Sequence, residues 1–204
     1  MEATAAASRK AKAAEPKRIP LVILFAETRG FTRTSAILPA PVVLARVSEF
    51  FAVLREAIER QGGVVRSLLN DTLMASFDGE KCEQRSVMAA QEIQERFAQF
   101  EESWEKEYGI HAAVAIGIHS GETVVGVPES TGAIPMLIGD NVSIADRLLH
   151  RARAGEFVMS GPVFEALAVG GFALDAQELP DLEIPRRDPI PLFGVIRDTR
   201  LDFT

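Results

Sequence analysis

Apolar residues follow two kinds of spacing along the chain, and each kind predicts a different element. The segment Ile19–Ala26 is a nearly continuous apolar run, which is typical of a strand buried on both faces. From Pro41 to Arg60 the apolar residues recur at helical spacing with charged residues between them, which predicts an amphipathic helix. The segment Gln61–Gly63 contains two glycines and is expected to end that helix.

Two β-hairpins and a second long helix are predicted next. The stretch Val64–Phe77 has two short apolar strands around the turn-forming pair Asn70-Asp71, which places Asp71 at the tip of a hairpin. A helix is expected from about Glu80 to Lys106, because its apolar residues line one face. The stretch Ile110–Val127 is interpreted as a second hairpin that turns at Ser120–Glu122.

Smaller elements complete the pattern. The predicted ones are a strand at Ile134–Ile138, a helix from Gly139-Asp140 to about Arg153, a strand at Glu156–Ser160, a helix at Pro162–Val169, and strand-like pieces near Phe172 and Leu192. The order of strands and helices predicts an α+β fold in which helices pack against one sheet. We expect one domain at 19–197, a disordered tail or linker at 1–18, and a short C-terminal tail at 198–204.

Composition narrows the class of protein. The 204 residues are 47% hydrophobic and 25% charged, which is an ordinary globular balance. The net charge of −7 argues against general binding of nucleic acid, which requires a basic face. A single cysteine, Cys82, allows no intrachain disulfide, and no apolar run reaches the length of a membrane span. Because the first residues also lack the apolar core of a secretory signal, we expect a cytoplasmic location.

The acid at the end of the first strand suggests chemistry. Glu27 follows the apolar run and precedes a Gly-Phe-Thr turn. An acid at a strand tip, followed by the backbone amides of a helix start, can hold a metal ion and phosphates. The alternative is that Glu27 is simply a solvated strand end, and this segment by itself leaves both readings open.

Several segments together resemble the catalytic domain of class III adenylate and guanylate cyclases. They are LFAETRGFT, GGVVRSLLNDTLMASF, IGIHSGETVVGV, LIGDNVSIADRL and GEFVMSGPVFEAL, in the family's order and spacing from about Ile19 to Val195. The resemblance implies a ferredoxin-like core with a mostly antiparallel sheet, and an active site shared between two domains. It also implies a reaction in which the ribose 3′-oxygen attacks the α-phosphorus of a nucleoside triphosphate and pyrophosphate leaves, with Mg²⁺ or Mn²⁺ as cofactor.

The resemblance assigns each site position of the family to one residue here. The two metal-binding aspartates correspond to Glu27 and Asp71. The base-reading positions correspond to Ser67 and Met136, and the transition-state asparagine and arginine to Ser143 and Arg147. The turn beside the first metal ligand, where phosphates bind, consists of Thr28, Arg29, Gly30, Phe31 and Thr32.

Several of these residues differ from the family pattern. Glu27 is one methylene longer than aspartate, which moves its carboxylate by more than about 1 Å, and misplacement of about 1 Å can lower a rate around 10²-fold. Ser67 is too short to replace a lysine, and its neighbour Arg66 would point to the opposite face of the strand unless a bulge intervenes. Met136 offers a purine no useful hydrogen bond, and Ser143 is shorter than asparagine.

Four hypotheses therefore stay open. The chain is a cyclase homology domain with weak or lost purine cyclase activity that binds nucleotide and metal as a regulatory dimer, or an active cyclase with an unusual base or Mn²⁺ preference. It is otherwise the metal-donating half of a heterodimer with another cyclase domain, or a non-catalytic interaction module. If these residues have no role in a site, Asp71 is only a turn residue and Arg147 is a surface arginine of its helix. The expected partners are a nucleoside triphosphate and a second copy or another cyclase domain, without nucleic acid or a membrane span.

Overall fold

The computed structural model describes residues 15–127 and 135–197, apart from the side chains of residues 32 and 33. In these ranges the chain forms eight strands and five helices. They are β1 (Lys17–Arg29), α1 (Phe31–Ile37), α2 (Ala40–Arg60), β2 (Val64–Leu69), β3 (Thr72–Phe77), α3 (Cys82–Tyr108), β4 (Ala113–Gly126), β5 (Met136–Ile138), α4 (Asp140–Arg151), β6 (Glu156–Ser160), α5 (Gly161–Val169), β7 (Gln177–Leu182) and β8 (Ile190–Ile196).

All the strands belong to one mixed sheet. Its order is β2-β3-β1-β4-β6-β8-β7, and β5 pairs with the end of β4. The β4–β6 pair is parallel, and the other pairs are antiparallel. The predicted α+β fold with a mostly antiparallel central sheet is therefore confirmed.

Helices cover both faces of this sheet, and α4 packs on the face opposite α2, α3 and α5. Val22 and Leu24 pack under α2, α3 and α5. Leu21 and Ile23 point the other way, toward Ala145 of α4. Because successive residues of a strand face opposite sides, burial on both faces explains the unbroken apolar run that marks β1 in the sequence.

The hairpin predicted at Ser120–Glu122 is wrong. β4 is one continuous strand, and it pairs with β1 from Arg29 opposite Ala113 to Lys17 opposite Val125. Gly121 resembles a turn glycine in the sequence, but it lies opposite Leu21 in this ladder and the amide side chain of Asn141 packs on it. The glycine provides space for α4 rather than a change of direction.

The other differences are small. The strand expected near Phe172 is also wrong, since the chain has no regular structure there and the strand comes later, as β7. The predicted helix from Glu80 runs instead from Cys82 to Tyr108, and α4 ends at Arg151, two residues before the predicted end. The start of the strand predicted at Ile134, residues 1–14 of the tail expected at 1–18, and the tail at 198–204 lie outside the described residues, whereas Lys17 and Arg18 already belong to β1.

None of the described helices combines the length and the apolar character that crossing a bilayer requires.

Candidate active site

The fold brings the two acidic residues predicted as metal ligands to the same place. Glu27 lies near the end of β1, opposite Thr72 of β3. Asp71 occupies the β2–β3 turn just before Thr72, and its carbonyl accepts a hydrogen bond of 3.3 Å from the amide of Thr28. Asn70 makes the turn possible with its positive φ of 55°. The hairpin tip is therefore fixed beside the end of β1.

The environment of Asp71 shows that the two carboxylates interact. Partial burial raises the pKa of Asp71, and the negative charge of Glu27 raises it further. A hydrogen bond from the Asp71 backbone and the positive charge of Arg29 act in the opposite direction on the same pKa. A bound cation would favour the ionised form of this acid.

Arg29 holds Glu27 and the end of α4 at the same time. Its Nη1 donates to Glu27 Oε1 at 2.6 Å. Its Nη2 donates to the carbonyls of Leu149 and Ala152, at 2.8 and 3.1 Å. These carbonyls belong to the C-terminal turn and cap of α4, where a positive charge is also favourable to the helix dipole.

The donor set fits a divalent cation that is bound together with phosphates. Within residues 15–127 and 135–197, no group of three or more His, Cys, Asp or Glu side chains could hold a metal ion. Glu27 and Asp71 together offer two carboxylates, and Mg²⁺ is commonly held by one or two carboxylates with substrate phosphates and water. The two acids are hence suited to a metal that arrives with a phosphorylated substrate.

The five residues predicted to form the phosphate-binding turn differ in burial and in backbone conformation. Thr28 is buried, and Arg29 is committed to the contacts described above. Gly30 has φ of 89° and passes close to the carbonyl of His111, so a larger residue there would be strained. Phe31 begins α1 and is half-buried, while the side chain of Thr32 lies outside the described part.

Ser143 and Arg147 lie one turn apart on the outer face of α4, where both are exposed. The start of this helix is fixed by the buried Asn141, whose Nδ2 donates to the carbonyls of Leu21 and Gly121 at 3.0 and 2.9 Å. The Ser143–Arg147 pair therefore sits on a helix that is rigidly attached to the sheet.

A β-bulge changes the neighbourhood of Ser67. The β2–β3 register shifts between Val65 and Ser67, so Arg66 is an extra residue in β2. Its Nε donates to Ser76 Oγ at 2.8 Å. Ser76 lies opposite Ile23, and Ser67 lies opposite Met74, which packs against the same cluster as Ile23. Arg66 and Ser67 therefore share the face of the sheet that α4 covers.

Met136 lies far from the acids within one chain. It pairs with Gly126 at one end of β4, whereas Glu27 pairs with Ala115, eleven residues away along the same strand. At about 3.3 Å per residue this separation is roughly 35 Å. That exceeds the length of a nucleoside triphosphate, so Met136 and Glu27 of the same chain cannot contact one substrate molecule.

Sequence reasoning did not place two residues that the structure brings close to the predicted site positions: it considered Arg66 only on the condition of a bulge, and it did not consider Asn141. Arg66 reaches the face of Ser67 only through a β-bulge, and no pattern in the sequence of β2 predicts that bulge. Asn141 anchors α4, and the only signal in the sequence is a polar residue at the start of an amphipathic helix. The position of Arg66 depends on the register of the neighbouring strand β3, and that of Asn141 on a contact with β1 across 120 residues of sequence.

An apolar groove elsewhere in the described structure does not offer ligands of this kind. It has a volume of about 440 Å³ and lies between α5 and the segment 171–174. Its walls include Phe164, Leu167 and Phe172, and it lies on the face of the sheet opposite α4. It presents no charged side chain for a phosphate or a metal.

These features define the class of domain. It is an α+β sheet domain with two acids at the end of a central strand and an exposed arginine on α4, which packs on one face of the sheet. The model of the adenylate and guanylate cyclase catalytic domain family matches residues 14–193. The chain therefore belongs to this family of class III nucleotidyl cyclases.

One curated protein is similar in sequence, and solved structures are similar in fold. An adenylate cyclase from Anabaena cylindrica is 29% identical over 132 residues, which make up 63% of this chain and 26% of that protein. The chain thus matches about a quarter of that relative's length. The adenylyl cyclase CyaB from P. aeruginosa has a TM-score of 0.80 at 19% identity, covering 92% of this chain and 99% of that one. The guanylyl cyclase Cya2 has a TM-score of 0.76 at 21% identity, covering 92% and 98%.

Proposed function

We propose that this chain is a cyclase homology domain that binds a nucleoside triphosphate with Mg²⁺ or Mn²⁺ between two copies. Its turnover of purine nucleotides to 3′,5′-cyclic monophosphate and pyrophosphate is weak, and its role in cyclic-nucleotide signalling is that of a regulatory, nucleotide-binding dimer. Cyclase domains of this family bind nucleoside triphosphates and dimerise. Each domain would then contribute a different set of residues to one site.

The observation that carries the proposal is the separation of the family's site positions within one chain. Glu27 and Asp71 lie at one end of the β1–β4 ladder, and Met136 lies roughly 35 Å away at the other end. A single nucleotide meets both sets only when a second chain provides one of them. A dimer with the acids of one copy near α4 and β5 of the other satisfies this requirement.

The side chains of this chain then have separate tasks. Glu27 and Asp71 would hold the metal, which when bound activates the attacking 3′-oxygen and neutralises phosphate charge. Arg147, from the second copy, would donate hydrogen bonds to the phosphate oxygens as negative charge develops on them. Ser143, one turn earlier on α4, would contact the ribose or phosphate through a bridging water because its side chain is short.

Weak turnover follows from the residues at the two base-reading positions. The exposed side chain of Met136 cannot hydrogen-bond a base edge, and Ser67 has only a short hydroxyl in place of an ammonium. The loss of one preorganised donor lowers a rate by about 10²–10³-fold. The effect of several such losses is less than their product, because residues that act as a unit are not additive.

A product assay tests the proposal. The purified protein is incubated with ATP, GTP, CTP or UTP, each with Mg²⁺ or Mn²⁺, and cyclic products are measured by mass spectrometry. We expect a slow cyclic product that is greater with Mn²⁺ and disappears in Asp71→Ala and in Arg147→Ala. Fast turnover of ATP or GTP with Mg²⁺ would refute weak activity. Product that persists in both variants would refute this site.

A second candidate is an active cyclase with an altered base preference, and the bulge at Arg66 favours it. The bond from Arg66 Nε to Ser76 leaves the two terminal nitrogens of the guanidinium for a ligand. A guanidinium fits the O6 and N7 acceptors of guanine, whereas adenine presents a donor at the same edge. On this reading, Arg66 replaces the missing lysine and GTP is the preferred purine.

The base preference is tested by Arg66→Ser. We expect kcat/KM for GTP to fall about tenfold while that for ATP changes by less than about threefold, since one bidentate contact discriminates by about 1–3 kcal/mol. Arg55→Ser is the matched control, because Arg55 is an exposed arginine on α2 that bonds Glu59 of the same helix. Equal losses for GTP and ATP would contradict this reading.

A further inference from the structure

We infer that Arg29 is a positioning residue that compensates for the extra length of Glu27. The inference rests on the proposed function, because it takes Glu27 as a metal ligand. Arg29 holds one oxygen of the Glu27 carboxylate and leaves the other oxygen for the metal. The lengthened acid and the arginine therefore act as a matched pair.

The geometry places the two side chains on one face of β1. Residues 27 and 29 are two positions apart in a strand, so their side chains point the same way. The contact is short, 2.6 Å between Nη1 and Oε1, and both side chains are largely shielded, with exposures of 25% and 19%. A charge-assisted bond in such surroundings is stronger than an exposed ion pair.

The guanidinium of Arg29 cannot follow a retreating carboxylate. Its Nη2 is already bonded to the carbonyls of Leu149 and Ala152. These carbonyls belong to the end of α4, and α4 is attached to the sheet through Ala145, Leu148 and Leu149. The guanidinium of Arg29 is thus held at a fixed distance from β1.

Only an acid of the length of glutamate reaches this guanidinium. Removal of one methylene withdraws the carboxylate by more than about 1 Å, because a C–C bond is about 1.5 Å long. Starting from 2.6 Å, the distance to Nη1 would then exceed about 3.6 Å, at which no hydrogen bond forms. Arg29 should consequently matter for metal binding when residue 27 is glutamate, and hardly at all after Glu27→Asp.

The test is a double-mutant cycle on the affinity for Mn²⁺ alone, measured by the loss of the free-ion signal in electron paramagnetic resonance. The four proteins are the unsubstituted chain, Arg29→Ala, Glu27→Asp and the double variant. We expect Arg29→Ala to weaken Mn²⁺ binding by about 10–100-fold in the unsubstituted background, the usual range for partners that orient a metal ligand. In the Glu27→Asp background we expect a change of less than about threefold.

Two control variants separate positioning from general damage. Arg151→Ala removes another arginine near the end of α4, whose Nη2 donates to the Asp181 carbonyl at 3.0 Å, and should leave Mn²⁺ affinity unchanged. Arg29→Lys keeps the charge but cannot bond Glu27 and both carbonyls, so an intermediate affinity is expected. Melting temperatures of all variants identify any that do not fold.

Each result has a separate meaning. A loss of affinity that depends on Glu27 supports the inference. An equal loss in both backgrounds, no loss in either, or the same loss in Arg151→Ala overturns it while the metal site stands. If the unsubstituted chain binds no Mn²⁺, neither alone nor as its complex with a nucleoside triphosphate, the metal site of the proposed function fails, and this inference fails with it.

Discussion

At the scale of single residues, the chain relies on a few buried polar contacts. Arg29 is one of them, and His119 on β4 is another. His119 is 7% exposed, and its Nδ1 lies 2.7 Å from Ser160 Oγ on β6. Burial lowers the pKa of His119 to about 4, and the positive charge of Arg187, itself paired with Asp140, contributes to the same shift. A histidine held neutral in the folded state makes stability depend on pH.

We predict that His119 destabilises the fold in acid. Between pH 6.5 and about 4 the unfolded chain binds a proton at this residue while the folded chain does not, so stability falls as the pH decreases. The full contribution is about 3 kcal/mol. In His119→Gln, urea unfolding between pH 7 and pH 4 should show a correspondingly smaller loss. His150→Gln on the exposed face of α4 is the control, and an equal change there would contradict the prediction.

At the scale of elements, the docking of α4 on β4 decides the shape of the site. Two glycines of β4 lie beneath this helix. A Cβ at Gly117 would come closer than 3.0 Å to backbone atoms of Ala145, Leu148 and Leu149, whereas a Cβ at Gly121 would meet the side chain of Asn141 at 3.3 Å. Backbone atoms cannot move aside without shifting the helix, but a side-chain amide needs only a small adjustment.

These two glycines should respond differently to alanine. We expect Gly117→Ala to destabilise the domain by about 3 kcal/mol or more, at the upper end of overpacking effects, and Gly121→Ala by about 1 kcal/mol. Because α4 carries Ser143 and Arg147, Gly117→Ala should also abolish any product that the unsubstituted chain forms. Urea unfolding of both variants measures the difference. Equal destabilisation would mean that α4 is not held as closely to β4 as described.

At the scale of the whole molecule, one edge of the sheet carries exposed apolar residues. β2 is the first strand in the sheet order, and its Val64, Leu68 and Leu69 are 48%, 43% and 70% exposed. Met136 and Ile138 of β5 are exposed as well. Apolar groups on an edge strand next to the predicted site are consistent with the proposed dimer, in which a second copy covers them.

We predict that Leu69→Glu weakens self-association. A charge placed in an apolar contact should raise the dimer dissociation constant by about tenfold or more, which corresponds to about 1.4 kcal/mol. Analytical ultracentrifugation measures this constant, and the melting of the diluted monomer should be unchanged. Val169→Glu is the matched control, because Val169 is 91% exposed at the end of α5, on the other face of the sheet. A similar effect of both substitutions would count against a dimer through β2.

Local patterns in the sequence predict most of the fold. Burial on both faces and amphipathic spacing are local patterns, so β1, α2, the β2–β3 hairpin, α3 and α4 could all be predicted close to their observed positions. The motifs around Glu27, Asp71 and Arg147 identified the family. The β4 segment misled the prediction because Gly121 suits a turn as well as it suits a close approach of Asn141, and only the pairing with β1 distinguishes these uses.

The tertiary structure decided which side chains meet. Arg29 bonds Glu27 two residues away and also the carbonyls at the end of α4, which lie more than a hundred residues away in the sequence. The bulge that turns Arg66 to the face of Ser67 is a property of the β2–β3 register, and the roughly 35 Å between Glu27 and Met136 is a property of the sheet. Residue types and spacing specify local elements, whereas packing between distant segments sets the geometry on which chemistry depends.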